Sequence, residues 1–201
     1  MMKAAIFDVD GTILDTMPMW EGAADAYLAT LGIVSDEDLN KKFLSATVET
    51  VASYMKEKFN LKQTEEEIQK GVQKVAEDFY ANEAQIKDGM LDYIKSLHKK
   101  NIPMVVASSG IRVLIDSAFT RLDLHKYFKE ILTGDKNSPE LFEKCLETLG
   151  TKPEETFVFE DGIHAIETAK KIGLKTVVVK DIQHNYEEIK KSADYTLEEL
   201  L

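Results

Sequence analysis

The chain is expected to fold as an α/β protein on a doubly wound parallel sheet, interrupted by a block of helices. Apolar runs of strand length alternate with helical stripes along most of the 201 residues, and strand–helix alternation implies a parallel sheet. The runs are continuous rather than alternating, as in strands covered on both faces. Residues 17–86 break this rhythm with helical periodicity and no convincing strand.

The first run, Lys3–Phe7, ends in Asp8-Val9-Asp10-Gly11-Thr12. Successive side chains of a strand alternate faces, so Asp8 and Asp10 start on the same side, and a turn at Gly11 tilts one against the other. Carboxylates this close repel, and the pair becomes comfortable with a cation, a proton or a basic partner. Two oxygen ligands with room for water and a phosphate suit Mg²⁺. Taken alone, the pair also reads as strand-end aspartates capping a turn.

The helical block follows. Trp20, Ala23, Ala24, Tyr27, Leu28 and Leu31 form one stripe, and Val48, Val51, Ala52, Met55 and Phe59 a second. A third helix begins at Thr64, which with Glu67 makes a capping box, and carries Ile68, Val72, Val75, Ala76 and Phe79. Inserted directly after the first strand, the block is expected to sit over that strand's carboxyl end, where α/β proteins place their sites. Trp20 and Met19 read either as an apolar wall over the site or as bundle core.

The second long run, Pro103–Ala107, closes with Ser108-Ser109-Gly110 ahead of a helix bearing Leu114, Ile115, Ala118, Phe119 and Leu122. A hydroxyl and free amides at a helix amino terminus make a phosphate seat, although Ser108 alone also reads as an N-cap. After the run Glu130–Leu132 comes Lys136, then Ser138 and Pro139, which suit a helix start. The run Thr156–Phe159 leads into Glu160-Asp161-Gly162, a second acidic pair that is costly at a strand end without positive charge nearby. A helix with Ile163, Ile166 and Ala169 precedes Gly173, and Lys175–Val179 and a weak Tyr195–Thr196 complete the strands.

Composition narrows the class. An apolar content of 44% and a charged content of 30% describe a globular protein with a core. A net charge of −11 argues against nucleic-acid and anionic-membrane partners. With no apolar run long enough to span a bilayer and no signal-peptide pattern at the start, a cytoplasmic monomer is expected. The single cysteine, Cys145, shares a helical stripe with Phe142, Leu146 and Leu149 and reads as packing. His98, His125, His164 and His184 show no metal-ligand spacing, although His164 follows Asp161 closely enough to approach it.

In its motifs the chain resembles the haloacid dehalogenase superfamily, in the phosphatase and β-phosphoglucomutase-like branch with a helical cap. Asp8-Val9-Asp10-Gly11-Thr12, Ser108, Lys136 and Glu160-Asp161 occur in the family's order, with Leu14-Asp15-Thr16 in agreement after the first motif. The resemblance implies a core of residues 1–16 and 87–201 and a cap of residues 17–86. It implies Asp8 as the nucleophile that takes up a phosphoryl group and Asp10 as general acid and base. It also implies Mg²⁺ held by Asp8, the Asp10 carbonyl and Asp161, with Glu160 direct or one water removed. Ser108, Ser109, Lys136 and the amides at Val9 and Asp10 would bind the phosphate, and Trp20 would influence specificity from the cap. An acid at position 10 points to phosphate esters rather than dehalogenation.

Two departures stand out. The family's Lys-Pro-x-Pro-Asp is here Lys136-Asn137-Ser138-Pro139-Glu140, on a shortened approach. A mutase of the β-phosphoglucomutase type has a histidine where this chain has Trp20, and an arginine-bearing cap loop where this chain has only Lys41 and Lys42 as nearby cations. The expectation is therefore a Mg²⁺-dependent phosphatase of a small phosphorylated metabolite, with a sugar-phosphate mutase as the alternative.

Overall fold

The first strand, β1 (Ala4–Phe7), is fully buried along its whole length. That is what an uncharged apolar segment needs at the centre of a sheet covered on both faces. The computed structural model describes residues 1–37, 39, 48–181 and 186–201. Lys41, Lys42 and His184 lie outside the described residues. The chain divides into two compact units, Met1–Met17 with Ala84–Leu201, and Pro18–Glu83.

In chain order the helices are α1 (Met17–Thr30), α2 (Val48–Lys58), α3 (Glu65–Asn82), α4 (Met90–Lys99), α5 (Arg112–Arg121), α6 (Glu140–Leu149), α7 (Ile163–Lys171) and α8 (Tyr186–Ser192). The remaining strands are β2 (Met104–Ser108), β3 (Ile131–Thr133), β4 (Thr156–Glu160), β5 (Lys175–Val178) and β6 (Tyr195–Thr196). They form a 6-stranded sheet in the order β3-β2-β1-β4-β5-β6, and every pairing is parallel. The predicted α/β class and all of the predicted strands are borne out.

Strand parity decides what each face receives. Ala4 and Ile6 pack with Val105, Ala107 and Val158 under Phe142 and Cys145 of α6 and Ala165 and Ala169 of α7. Cys145 is a core residue, and burial pushes its thiol up to about 12. Phe7 takes the opposite face. Its ring stacks on that of Phe159, centroids 4.4 Å apart and 6° from parallel, where the register pairs Phe7 with Phe159. Phe128 meets Phe7 edge-on, and Tyr93 leans on Phe159.

The first unit also owns both crossovers to the helical block. Leu14 bridges Ile86, the Asp15 N–H donates to Gln85 O at 2.9 Å, and the Lys87 N–H donates to Ile13 O at 2.9 Å. Periodicity grouped residues 84–86 with the block, but this short ladder places them in the unit of β1.

Within Pro18–Glu83 the described elements are helices. The capping box at α3 is present: Thr64 Oγ1 accepts from the Glu67 N–H at 3.2 Å, and Glu67 Oε2 accepts from the Thr64 N–H at 2.7 Å. The buried row on α3 is Ile68, Val72, Ala76 and Tyr80, a strict every-fourth-residue ridge. Tyr80 thus takes the place assigned to Phe79. Gly71 marks a close approach of α1 to α3, because a β-carbon there would stand 2.0 Å from the buried Tyr27 ring. Gly71→Ala is expected to lower the unfolding free energy by about 1–3 kcal/mol, measured by urea denaturation. Unchanged stability would mean that the ring can move aside without loss.

No helix among the described residues is long and apolar enough to cross a membrane.

Candidate active site

Asp8 follows β1 while still in the ladder, its N–H donating to Phe159 O at 3.0 Å. By strand parity it shares the face of Ile6, under α6 and α7. Glu160 ends β4 on the same face as Val158 and is the next acid across. The chain then turns sharply. Val9 O accepts from the N–H groups of Ile13 and Leu14 at 2.9 and 2.8 Å, and Gly11 adopts φ +83°. A side chain at Gly11 is excluded twice over. The left-handed backbone disfavours one, and a β-carbon would stand 2.3 Å from Asp161 Oδ2. The loops after β1 and β4 therefore touch.

Lys136 reaches the acids despite its shortened approach. Its Nζ donates to Asp8 Oδ1 at 2.5 Å and to Glu160 Oε2 at 2.7 Å, and its side chain is 11% exposed. The second Glu160 oxygen accepts from the Gly162 N–H at 3.0 Å.

Asp8, Glu160 and Asp161 are all buried, and one carboxylate oxygen of each lies within 4.8 Å of the others. The Lys136 ammonium pairs with two of the three carboxylates, and burial and charge move the pKa values of the groups it joins. Burial and then the Glu160 charge push the Asp8 carboxyl up to about 8, although Lys136 pulls it down. Burial also raises Glu160, again against Lys136. For Lys136 burial favours the neutral amine, but the pull of Asp8 and Glu160 wins and the ammonium is held well above its ordinary range. The surplus negative charge and the all-oxygen donor set fit a hard divalent cation such as Mg²⁺.

The Asp10 charge also raises Asp8, but the Asp10 carboxylate has a partner of its own. Its Oδ1 accepts from the Thr16 hydroxyl at 2.7 Å. A β-carbon built on Gly110 would stand 2.9 Å from Asp10 Oδ2 and 3.0 Å from Ser108 Oγ, so both groups border the same space. Ser108 is buried and its Oγ accepts from the Gly110 N–H at 2.9 Å. The N-cap of α5 is Ile111, so Ser108 is not the helix cap.

The structure brings Asp8, Asp10, Ser108, Lys136, Glu160 and Asp161 to one sheet edge, with the Val9 backbone forming the turn between the aspartates. Ser109 is exposed beside them. Pro139 rather than Ser138 takes the N-cap position of α6. Trp20 lies in the other unit, where its indole N–H donates to the Tyr80 hydroxyl at 3.0 Å and the rings meet at 62°. His164 is exposed on α7. Sequence reasoning missed Thr16 as the partner of Asp10. The signal available was a hydroxyl residue placed shortly after the turn.

The family of haloacid dehalogenase-like hydrolases matches residues 5–179. The chain is 28% identical over 181 residues to the phosphorylated carbohydrates phosphatase of Thermotoga maritima, spanning 88% of this chain and 84% of that one. It is 26% identical over 185 residues to the fructose-1-phosphate phosphatase YqaB of Escherichia coli, spanning 87% and 95%. A T. maritima protein solved as a candidate β-phosphoglucomutase superposes with a TM-score of 0.86 at 25% identity, covering 98% of this chain and 94% of that one. CbbY of Rhodobacter sphaeroides, solved with phosphate, shares the fold at a TM-score of 0.78 and 22% identity, again over 98% and 94%. With the sheet order, the acid cluster and a family match over most of its length, the chain belongs to the haloacid dehalogenase-like hydrolases.

Proposed function

We propose that this hydrolase is a Mg²⁺-dependent phosphatase of a small phosphorylated metabolite, a sugar phosphate or similar, acting through an aspartyl-phosphate on Asp8. The observation that carries the reading is Lys136 Nζ bridging Asp8 and Glu160 while Asp10 accepts from Thr16. That arrangement divides two aspartates of one turn into different roles. The relatives named as carbohydrate-phosphate and fructose-1-phosphate phosphatases support the substrate class.

Lys136 favours the ionised Asp8 that a nucleophile requires. An Asp8 oxygen attacks phosphorus as the bond to the leaving oxygen breaks, and the Asp10 carboxyl gives its proton to the departing alkoxide. The Asp10 carboxylate then takes a proton from water, whose oxygen attacks phosphorus, releasing inorganic phosphate and restoring Asp8. Asp8, Asp161 and the Asp10 carbonyl would hold Mg²⁺, with Glu160 beside them. A bound magnesium ion supplies charge neutralisation for the phosphoryl oxygens. Lys136, Ser108 and neighbouring amides serve the same oxygens from the protein side.

A panel of phosphorylated metabolites, assayed with Mg²⁺, with chelator, and with a sugar bisphosphate, tests the proposal. Phosphate release from sugar phosphates in Mg²⁺, lost on chelation and independent of bisphosphate, is expected. Absence of hydrolysis on every ester overturns it. Net isomerisation that requires the bisphosphate moves the assignment to a mutase. Trp20 in place of the mutase histidine favours hydrolysis.

A further inference from the structure

Lys136 sits between β3 and α6 on a loop whose helix start has no side-chain cap. Yet its ammonium must be placed well enough to touch two buried carboxylates at once. A lysine stem is flexible, and ordering one costs up to ~2 kcal/mol of rotamer freedom. Something must restrict the backbone that carries it.

The flanking residues do this. Asp135 Oδ1 accepts both the Asn137 backbone N–H and the Asn137 Nδ2–H, each at 2.9 Å. The two bonds close a small ring with Lys136 at its apex, the local turn that aspartate side chains favour. Upstream, the Gly134 N–H donates to Ser108 O at 3.0 Å and ties the loop to the end of β2. Asp135 is exposed, and the charges that act on the Lys136 ammonium are those of Asp8 and Glu160. Asp135 therefore works on the turn, not on the charge.

We propose that Asp135 is a positioning residue for Lys136, fixing the apex of the turn so that the ammonium reaches the phosphoryl site. The inference rests on the proposed role of Lys136 in phosphoryl transfer.

The test compares Asp135→Ala, Asp135→Asn and Lys136→Ala on whichever sugar phosphate the wild type hydrolyses best. Asp135→Ala is expected to lower kcat about tenfold to a hundredfold, since misplacement of a catalytic group by about an ångström has that cost. Its KM should stay within about threefold, as expected when a transition-state contact is lost. Asp135→Asn keeps the accepting oxygen and is expected to restore kcat to within about threefold of wild type. Turnover of Asp135→Ala within about twofold of wild type overturns the inference, and so does an Asp135→Asn as impaired as Asp135→Ala. Wild-type turnover in Lys136→Ala would instead remove the role of Lys136 itself, a separate failure.

Discussion

Asp8→Asn is expected to lower turnover by a factor on the order of 10⁴ or more, the scale seen when a covalent nucleophile is removed. Asparagine has nearly the same shape and keeps an oxygen that can accept from Lys136, so the fold and the Lys136–Glu160 contact survive. What disappears is the charged oxygen that attacks phosphorus. Acid-quenched wild-type enzyme mixed with substrate should carry a phosphoryl adduct at Asp8 by mass spectrometry, and the variant should carry none. In ion-free buffer the variant should be at least as stable as wild type, because one of three crowded buried carboxylates is gone. A variant with wild-type turnover would show that Asp8 is not the nucleophile.

Lys136→Met has the second large effect, and it falls on stability as well as on rate. Removing one partner of a buried ion pair leaves an uncompensated charge, a loss on the order of 3 kcal/mol. Here the cost depends on pH. In the wild type the Asp8 carboxyl titrates at about 8 when folded, against a reference value of 3.8. Between those values the folded state holds more protons than the unfolded chain, so stability falls as pH rises through that window. Without Lys136 the folded value climbs further, and the decline steepens and extends to higher pH. The variant should therefore lose more stability at pH about 8 than at pH about 5, while Mg²⁺, which competes with the proton, should restore more at the higher pH. Thermal melts at the two pH values, with and without Mg²⁺, measure both terms. A loss that is the same at both values would mean that Lys136 does not offset the buried acids.

Much of this was legible in the chain. Continuous apolar runs located β1, β2, β4 and β5, because a strand buried on both faces leaves little room for polar residues, whereas the partly exposed β3 and β6 were read from shorter segments. The acids were legible because Asp-x-Asp and Glu-Asp at strand ends have no apolar use. Lys136 was named from order alone. Its reach depends on a loop whose length and turn no periodicity reports, and strand parity with the face covered by α6 explains it after the fact. Tertiary partners were harder. Thr16 meets Asp10 through a turn, and Trp20 meets Tyr80 across 60 residues. Neither follows from local spacing. The short ladder between residues 13–15 and 85–87 pairs segments far apart in the chain, so residues 84–86 looked like a continuation of the helices.

The stacked rings of Phe7 and Phe159 stand one position before Asp8 and Glu160. They are fully buried on the face away from the acids, in register across the β1–β4 ladder that sets the spacing of the two strand tips. The acidic rim thus stands on a dry aromatic rung, and a change at position 7 or 159 reaches the cleft through the backbone that both faces share.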